Sequence, residues 1–483
     1  MTTRRPLLVA VLSGLLAGAT ALLGACAAGP AATSPGAASI PAPPGATPPI
    51  LFVHGNGDTA ALWTTTLWRF ESNGWPRDRL FAIDLPYPQA RDDDTKEQPG
   101  RSSTTEQRDQ LAAEIDRVLA ATGAPQLVLM GNSRGGYAIR NVVANVAGAA
   151  GKVSHIILGG TPNHGVWALP GFRPNNEFNG AGPFLKGLNA PKGPDGRVLP
   201  EGSTGLEIMP GPKWLTVRSD NNDKFAQPDG SWIGAKDMKT QVTAEGPALA
   251  GAENLVLPGR DHRETSFHPE AFAAAYRFIT GRAPTVDITP EATIVLDGKV
   301  TGVTGAGPTN LPMAGAKVAV YAVDTNTGAR IGGPLLDKTV GDDGRWGPLT
   351  TDARTALEFV ITPSQAAFST THIYRSAFAR SSSLVHLRPE RPLDVEKFAT
   401  AVVTLARPRG YFGLPRDTVV LDGKTTLPGV VPGVAGASVI RQTFKDTDRT
   451  VVGEFRSGPL AERVVGRTWP LVDKHISVLE LHY

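Results

Sequence analysis

Short apolar runs recur along the first half of the chain at Ile50 to Val53, Leu80 to Ile83, Gln126 to Met130 and Val153 to Leu158. Runs this short and this apolar predict strands covered on both faces. Between them, Gln110 to Leu119 places Leu111, Ile115, Val118 and Leu119 on one face of a helix. Ile139, Val142, Val143 and Val146 repeat that spacing. Strand character returns at Trp214 to Val217 and Leu255 to Leu257, and a last helix follows from about Pro269 to Ile279. Strand and helix in alternation predict an α/β fold with a doubly wound, mostly parallel sheet over residues 48–283. An insert at 166–211, rich in Gly, Pro and Asn, interrupts the pattern.

Beyond Pro284 the helical period disappears and a repeat takes its place. Thr293-Ile294-Val295-Leu296-Asp297-Gly298-Lys299 reads almost as Thr418-Val419-Val420-Leu421-Asp422-Gly423-Lys424. Downstream, Ala314-Gly315-Ala316-Lys317-Val318 pairs with Ala435-Gly436-Ala437-Ser438-Val439. Two matches in the same order predict C-terminal all-β, sandwich-like modules, each opening strand, Asp-Gly turn, strand. The first is expected over 284–370, and a connecting segment with the second over 371–483. The first module is similar to the prealbumin-type sandwiches appended to exported enzymes, through Val318 to Tyr321, Thr327-Gly328 and Gly341 to Trp346.

Ahead of all this, Arg4 and Arg5 precede a largely apolar stretch from Leu7 to Leu23. Leu23-Gly24-Ala25-Cys26 resembles a bacterial lipobox, which implies export, cleavage and lipidation of Cys26 at the cell envelope or surface. Cys26 is the sole cysteine, which excludes internal disulfides. The other reading of the segment is an uncleaved membrane anchor, near the lower length limit for spanning a bilayer. Thr3 to Leu8 is also similar to a twin-arginine export signal. Residues 27–47 are nearly all small or Pro and read as a tether.

With 48 basic and 45 acidic residues, the formal charge of +3 offers no case for nucleic acid. No group of His, Asp, Glu or Cys has metal-ligand spacing, and no cofactor is called for. Oligomeric state is left open.

Gly131-Asn132-Ser133-Arg134-Gly135 fits the G-x-S-x-G elbow, in which flanking glycines let a strand turn sharply into a helix and expose the serine hydroxyl. It stands where it should, after one predicted strand and at the start of a helical pattern. His54-Gly55-Asn56-Gly57 follows the first strand, the place of a loop that donates an oxyanion-hole amide. These segments, with Gly160 to Gly165 and Pro183 to Asn189, resemble the α/β-hydrolase superfamily and its bacterial lipases and esterases. The arrangement is also similar to two-domain lipases with a C-terminal β-domain.

That resemblance implies a serine hydrolase acting on a carboxylic ester, an acyl chain or a polyester, with Ser133 as nucleophile. His262, between the last strand and the last helix, is the implied base, and His268 is its rival. His155 falls inside a predicted strand, and His164 on the loop after it can line the site. The family loop pattern favours Asp223 as the acid, with Asp220 as the alternative. Backbone amides of Asn56 and Arg134 are the implied oxyanion donors, and His54 is expected to order its loop. Trp167, Phe172 and Phe184 in the insert, with His54 and His164, are candidates for the substrate pocket, and the insert itself for a lid or wall. Arg134 departs from the His, Gln or Met usual beside such a serine, which puts long-chain fat preference in doubt. The β-modules are expected to aid substrate docking or to shape the cleft, not to supply catalytic groups. An amidase with the same triad, or an anchored binding protein without activity, stays open.

Overall fold

Along the first strand Ile50 and Phe52 enter one core while Leu51 and Val53 enter another, so no position on it can be polar. This is β1 (Ile50–Val53) of a sheet whose other strands are β2 (Leu80–Ile83), β3 (Leu127–Asn132), β4 (Val153–Gly159), β5 (Lys213–Arg218) and β6 (Glu253–Val256). Their order is β2-β1-β3-β4-β5-β6, and every pairing is parallel. Helices α1 (Thr64–Ser72), α2 (Thr104–Thr122), α3 (Arg134–Asn145), α4 (Pro183–Leu188), α5 (Glu264–Phe267) and α6 (Pro269–Thr280) lie between or after the strands. Leu111, Ile115, Ile139 and Val142 of α2 and α3 fill one face, and Phe70, Phe272 and Tyr276 of α1 and α6 fill the other. The computed structural model describes residues 47–226, 238–305, 307–433 and 435–483; Cys26 and the signal-like segment lie outside them.

α2 begins six residues before the span read from its apolar face. Its start is a capping box: Ser103 accepts from the Glu106 N–H, and the Glu106 carboxylate accepts from the Ser103 N–H. Gly123, at φ 62°, ends it in the left-handed conformation.

The C-terminal half holds β7 (Ile294–Leu296), β8 (Thr301–Thr304), β9 (Gly307–Pro312), β10 (Lys317–Val323), β11 (Arg330–Thr339), β12 (Leu349–Thr351) and β13 (Ala356–Thr362). After them come β14 (Thr370–Arg375), β15 (Ala401–Ala406), β16 (Thr418–Leu421), β17 (Val439–Phe444), β18 (Thr450–Ser457), β19 (Leu460–Arg467) and β20 (His475–Glu480). A seven-stranded sheet in the order β11-β10-β13-β14-β20-β15-β17 runs through the whole region, across the expected division at 370/371. The small sheet β7-β12 shares a core with β10 and β13, through Leu296, Leu349, Val318 and Phe359. The small sheet β16-β18-β19 shares another with β15 and β17, through Val419, Phe455, Leu405 and Ile440. The region thus has two sandwich cores whose larger layers are one sheet.

The repeated heptapeptide does not repeat its conformation. Asp422 and Gly423 have φ of 53° and 74°, and Leu421 and Lys424 exchange backbone hydrogen bonds, a two-residue turn as expected. Asp297 and Gly298 make no such turn. They run on beside residues 382–387, and a Cβ on Gly298 would strike the Val385 backbone. Close approach, not a reversal, is what requires that first glycine.

Contacts tie the two halves together. Trp68 of α1 is buried in the core of the first sandwich and donates to Ser381 O at 3.0 Å. Asp84, just past β2, receives His386 Nε2 at 2.8 Å and Lys299 Nζ at 3.3 Å.

Candidate active site

Ser133 stands between β3 and α3 with φ 52° and ψ −121°, a backbone conformation that L-residues rarely adopt. Its neighbours make the turn possible. A Cβ on Gly135 would collide with the carbonyls of Val53 and His54, and one on Gly131 would lie 2.8 Å from Gly136 N. The turn is then pinned from Ser133 N to Gly159 O at 2.9 Å and from Thr161 Oγ1 to Ser133 O at 3.1 Å. A Cβ on Gly55 would lie 3.1 Å from Ser133 Cβ, so the loop after β1 runs beside the serine.

Within that loop His54 Nδ1 donates to Gly55 O at 2.9 Å, and its Nε2 accepts from Leu85 N at 3.1 Å. Burial pushes its pKa down. His54 is thus a neutral brace. Asn56 Oδ1 accepts from Ala90 N at 2.8 Å. The backbone N–H groups of Asn56 and Arg134 have no partner among the described residues. Free amides beside a serine are what an oxyanion requires.

Asp223 follows β5, and His262 follows β6. Nδ1 of His262 lies 3.0 and 2.9 Å from the two Asp223 oxygens. Because an ionised carboxylate only accepts, Nδ1 carries the proton and Nε2 is left basic. Phe225 packs edge-on against the ring at 4.6 Å. Nε2 is buried and has no hydrogen-bond partner among the described residues, so the Ser133 hydroxyl is not bonded to it in this state. Such bonds commonly tighten only when substrate binds. Asp220 does a different job. It accepts from Asn222 N and Gly259 N, both at 3.0 Å, and so ties this loop to the one that leads to His262. Partial burial works against the Asp220 carboxylate, but these bonds lower its pKa overall. His268 caps α6, accepting from Glu270 N at 3.3 Å, and makes no contact with the serine turn.

Residues 50–275 match the model of the alpha/beta hydrolase family, and residues 292–392 match that of the lipase C-terminal domain. The first half is an α/β-hydrolase fold. Among solved structures the chain is similar to lipase B of Aspergillus fumigatus, at 16% identity over 52% of this chain and 57% of that one, with a TM-score of 0.32. It therefore spans little more than half the length of that lipase. Lipase BlEst2 of Bacillus licheniformis is 19% identical over 50% of this chain and 92% of its own, with a TM-score of 0.30. Phospholipase PlaB of Legionella pneumophila is 12% identical over 73% and 96%, with a TM-score of 0.32. No curated protein matches the chain.

Beside the Asp223–His262 pair a cavity is lined by Asp223, His262, Phe225, Asn163, His164 and Thr216. His164 is held there by Glu207, 2.9 Å from its Nε2. The other pocket candidates lie elsewhere. Trp167 packs against Phe172 and Phe178, and Phe184 against Tyr137 of α3, so these rings fill the insert and seat it on α3. His54 is a loop brace outside the cavity. Among the described residues no group of three or more His, Cys, Asp or Glu is placed to hold a metal, and no helix is long and apolar enough to cross a membrane.

Sequence reasoning assigned Arg134 a backbone role and missed its side chain. The guanidinium is fully buried and grips Glu177 of the insert with two bonds, Nε to Oε1 at 2.6 Å and Nη2 to Oε2 at 2.7 Å. It also donates to Pro88 O and to Ser102 Oγ and O. The one available signal was a lone acid among apolar and amide residues, Asn176-Glu177-Phe178.

Proposed function

We propose that the protein is a serine hydrolase of carboxylic esters, working through Ser133, His262 and Asp223. The observation that carries this reading is the Asp223–His262 pair set beside a serine in a strained strand-to-helix turn. His262 Nε2 takes the Ser133 proton as Oγ attacks the ester carbonyl carbon. The oxygen that becomes negative is met by the N–H groups of Asn56 and Arg134. As the intermediate collapses, His262 returns the proton to the leaving alkoxide, which departs as alcohol. Water, deprotonated by the same imidazole, then cleaves the acyl-serine to free acid and enzyme. Asp223 keeps Nδ1 protonated and stabilises the imidazolium. The matches to the alpha/beta hydrolase and lipase C-terminal domain models support an ester bond as the target, and an acyl chain or a polyester is the substrate class proposed. The Leu23-Gly24-Ala25-Cys26 pattern supports export and lipid anchoring at Cys26.

The test is a panel of p-nitrophenyl esters of several chain lengths beside matching anilides, with fluorophosphonate labelling. Ester turnover is expected, with Ser133→Ala losing on the order of 10⁴-fold or more along with the label. Preferred anilide cleavage would make the protein an amidase. No turnover and no labelling of the wild type would leave a binding protein, and undiminished labelling of the variant would move the nucleophile to another residue. For the anchor, Cys26→Ser should free the protein from membranes with its activity intact.

A further inference from the structure

Whatever fixes the backbone from residue 261 to 264 fixes the pose of His262. Two fully buried carboxylates do so. Asp261 Oδ1 accepts from the N–H groups of Arg263 and Glu264, each at 2.9 Å, and wraps the turn that follows the histidine. Glu264 Oε2 returns the hold, accepting from Asp261 N at 2.9 Å. Two carboxylates this close in a dry interior repel, and one would keep a proton unless cations face both.

Those cations come from the C-terminal half. Arg407, itself fully buried, donates from Nη1 to Asp261 Oδ2 at 2.9 Å and from Nη2 to Glu264 Oε1 at 2.6 Å. Arg416 Nη1 donates to Glu264 Oε2 at 2.5 Å, and Tyr411 N to Asp261 Oδ2 at 2.8 Å. Burial works against both carboxylates; Arg407 and Arg416 outweigh it at Glu264 and hold its pKa at about 2, while burial, then the charge of Glu264, raises that of Asp261. Arg407 is anchored in turn on the carbonyls of Tyr411 and Tyr483. The acid's loop is tied to the same region: Asp223 forms a backbone bridge with Ala435, and Lys224 donates to Gly436 O at 3.2 Å with its ammonium over the Tyr411 ring.

We propose that Arg407, aided by Arg416, is a positioning residue for the base, so that the C-terminal β-region sets the geometry of His262 without touching substrate. The proposal rests on the triad reading given above. It makes the β-region part of the catalytic unit, where the sequence suggested docking or cleft shaping.

The test uses the full chain with Arg407→Ala, Arg407→Lys and Arg416→Gln. Active sites are titrated with fluorophosphonate, and kcat per titrated site, KM and thermal melting are measured. Arg407→Ala is expected to lose on the order of 10- to 100-fold in kcat per site at unchanged KM, the cost of a small misplacement of a reacting group. Arg407→Lys should recover part of it, keeping the charge without the two-pronged bond, and Arg416→Gln should lose less than Arg407→Ala. A folded Arg407 variant with wild-type kcat per site would overturn the proposal. Should Arg407→Ala fail to fold, the Lys and Arg416 variants decide the matter by the same measure. Wild-type protein that neither labels at Ser133 nor hydrolyses esters would bring down the triad reading, and the proposal with it.

Discussion

The serine turn and the histidine loop adjoin, with Asn132 Nδ2 donating to His262 O at 3.4 Å, yet they are held in different ways. Around Ser133 the constraint is steric, and the glycines that meet it are the serine's own near neighbours. Glycines at 131, 135 and 136 let backbone approach Ile139, Val53 and Thr161 more closely than any side chain allows. Around His262 the constraint is ionic and distant, since Arg407 lies 146 residues from Asp261 in the chain. A close approach has one solution, glycine, and so leaves a readable motif. An ion pair can be built from many positions, and its partners reveal themselves only after folding.

The sharpest way to break this contrast is to remove the acid. Asp223→Asn should keep the fold and lose on the order of 10⁴-fold in kcat, because an amide no longer fixes the reactive tautomer. Near-normal turnover would place the acid on another strand. On the serine side, Gly135→Ala should act through stability, costing about 3 kcal/mol as its methyl group is driven into the Val53 and His54 carbonyls. An unchanged urea midpoint would show that the turn can relax and that steric constraint is not what holds it.

The histidines sharpen the comparison by pH. Burial, then the charge of Arg260, lowers the pKa of His268 to about 3, so the folded protein keeps it neutral. The unfolded chain binds that proton below about pH 6.5, so stability falls as pH drops from 6.5 toward 3, by up to about 1.4 kcal/mol per unit. His268→Asn keeps a capping group for α6 and should flatten that slope in urea titrations, leaving only the part due to His54 and other groups. Parallel slopes for variant and wild type would refute the assignment. The smallest effect is expected of Asp220→Asn, about 1 kcal/mol of stability, by analogy with a lost cap, with kcat little changed.

Much of the first sheet was legible, because strands covered on both faces must be apolar throughout and the stretches between them kept the helical period. The start of α2 was not, since Thr104 to Gln107 carries little apolar signal and the capping box alone marks it. The positions of Ser133, Asp223 and His262 were legible because the first directly follows a recognisable strand and the other two each sit a short loop after one. The insert's aromatic rings could not be placed, because a ring that lines a cavity and one that fills a small core look alike in a sequence. The repeat was visible, but its first Asp-Gly was misread as a turn, since glycine serves a close approach as well as a reversal.

The Arg134–Glu177 pair has a kinetic consequence. Swinging the insert away from the serine turn would take Glu177 from Arg134 and leave the buried guanidinium without its carboxylate, at about 4 kcal/mol. At that cost roughly one molecule in a thousand stands open at any moment. An insert free to swing could be opened by an oil–water interface, and the rate would then leap as substrate passes its solubility limit. Under the proposed ester hydrolysis the protein instead works with its insert bolted as it stands. Its velocity should rise along one smooth saturation curve through that limit, and a detergent interface should not accelerate it. A jump at the limit would show that the bolt slides.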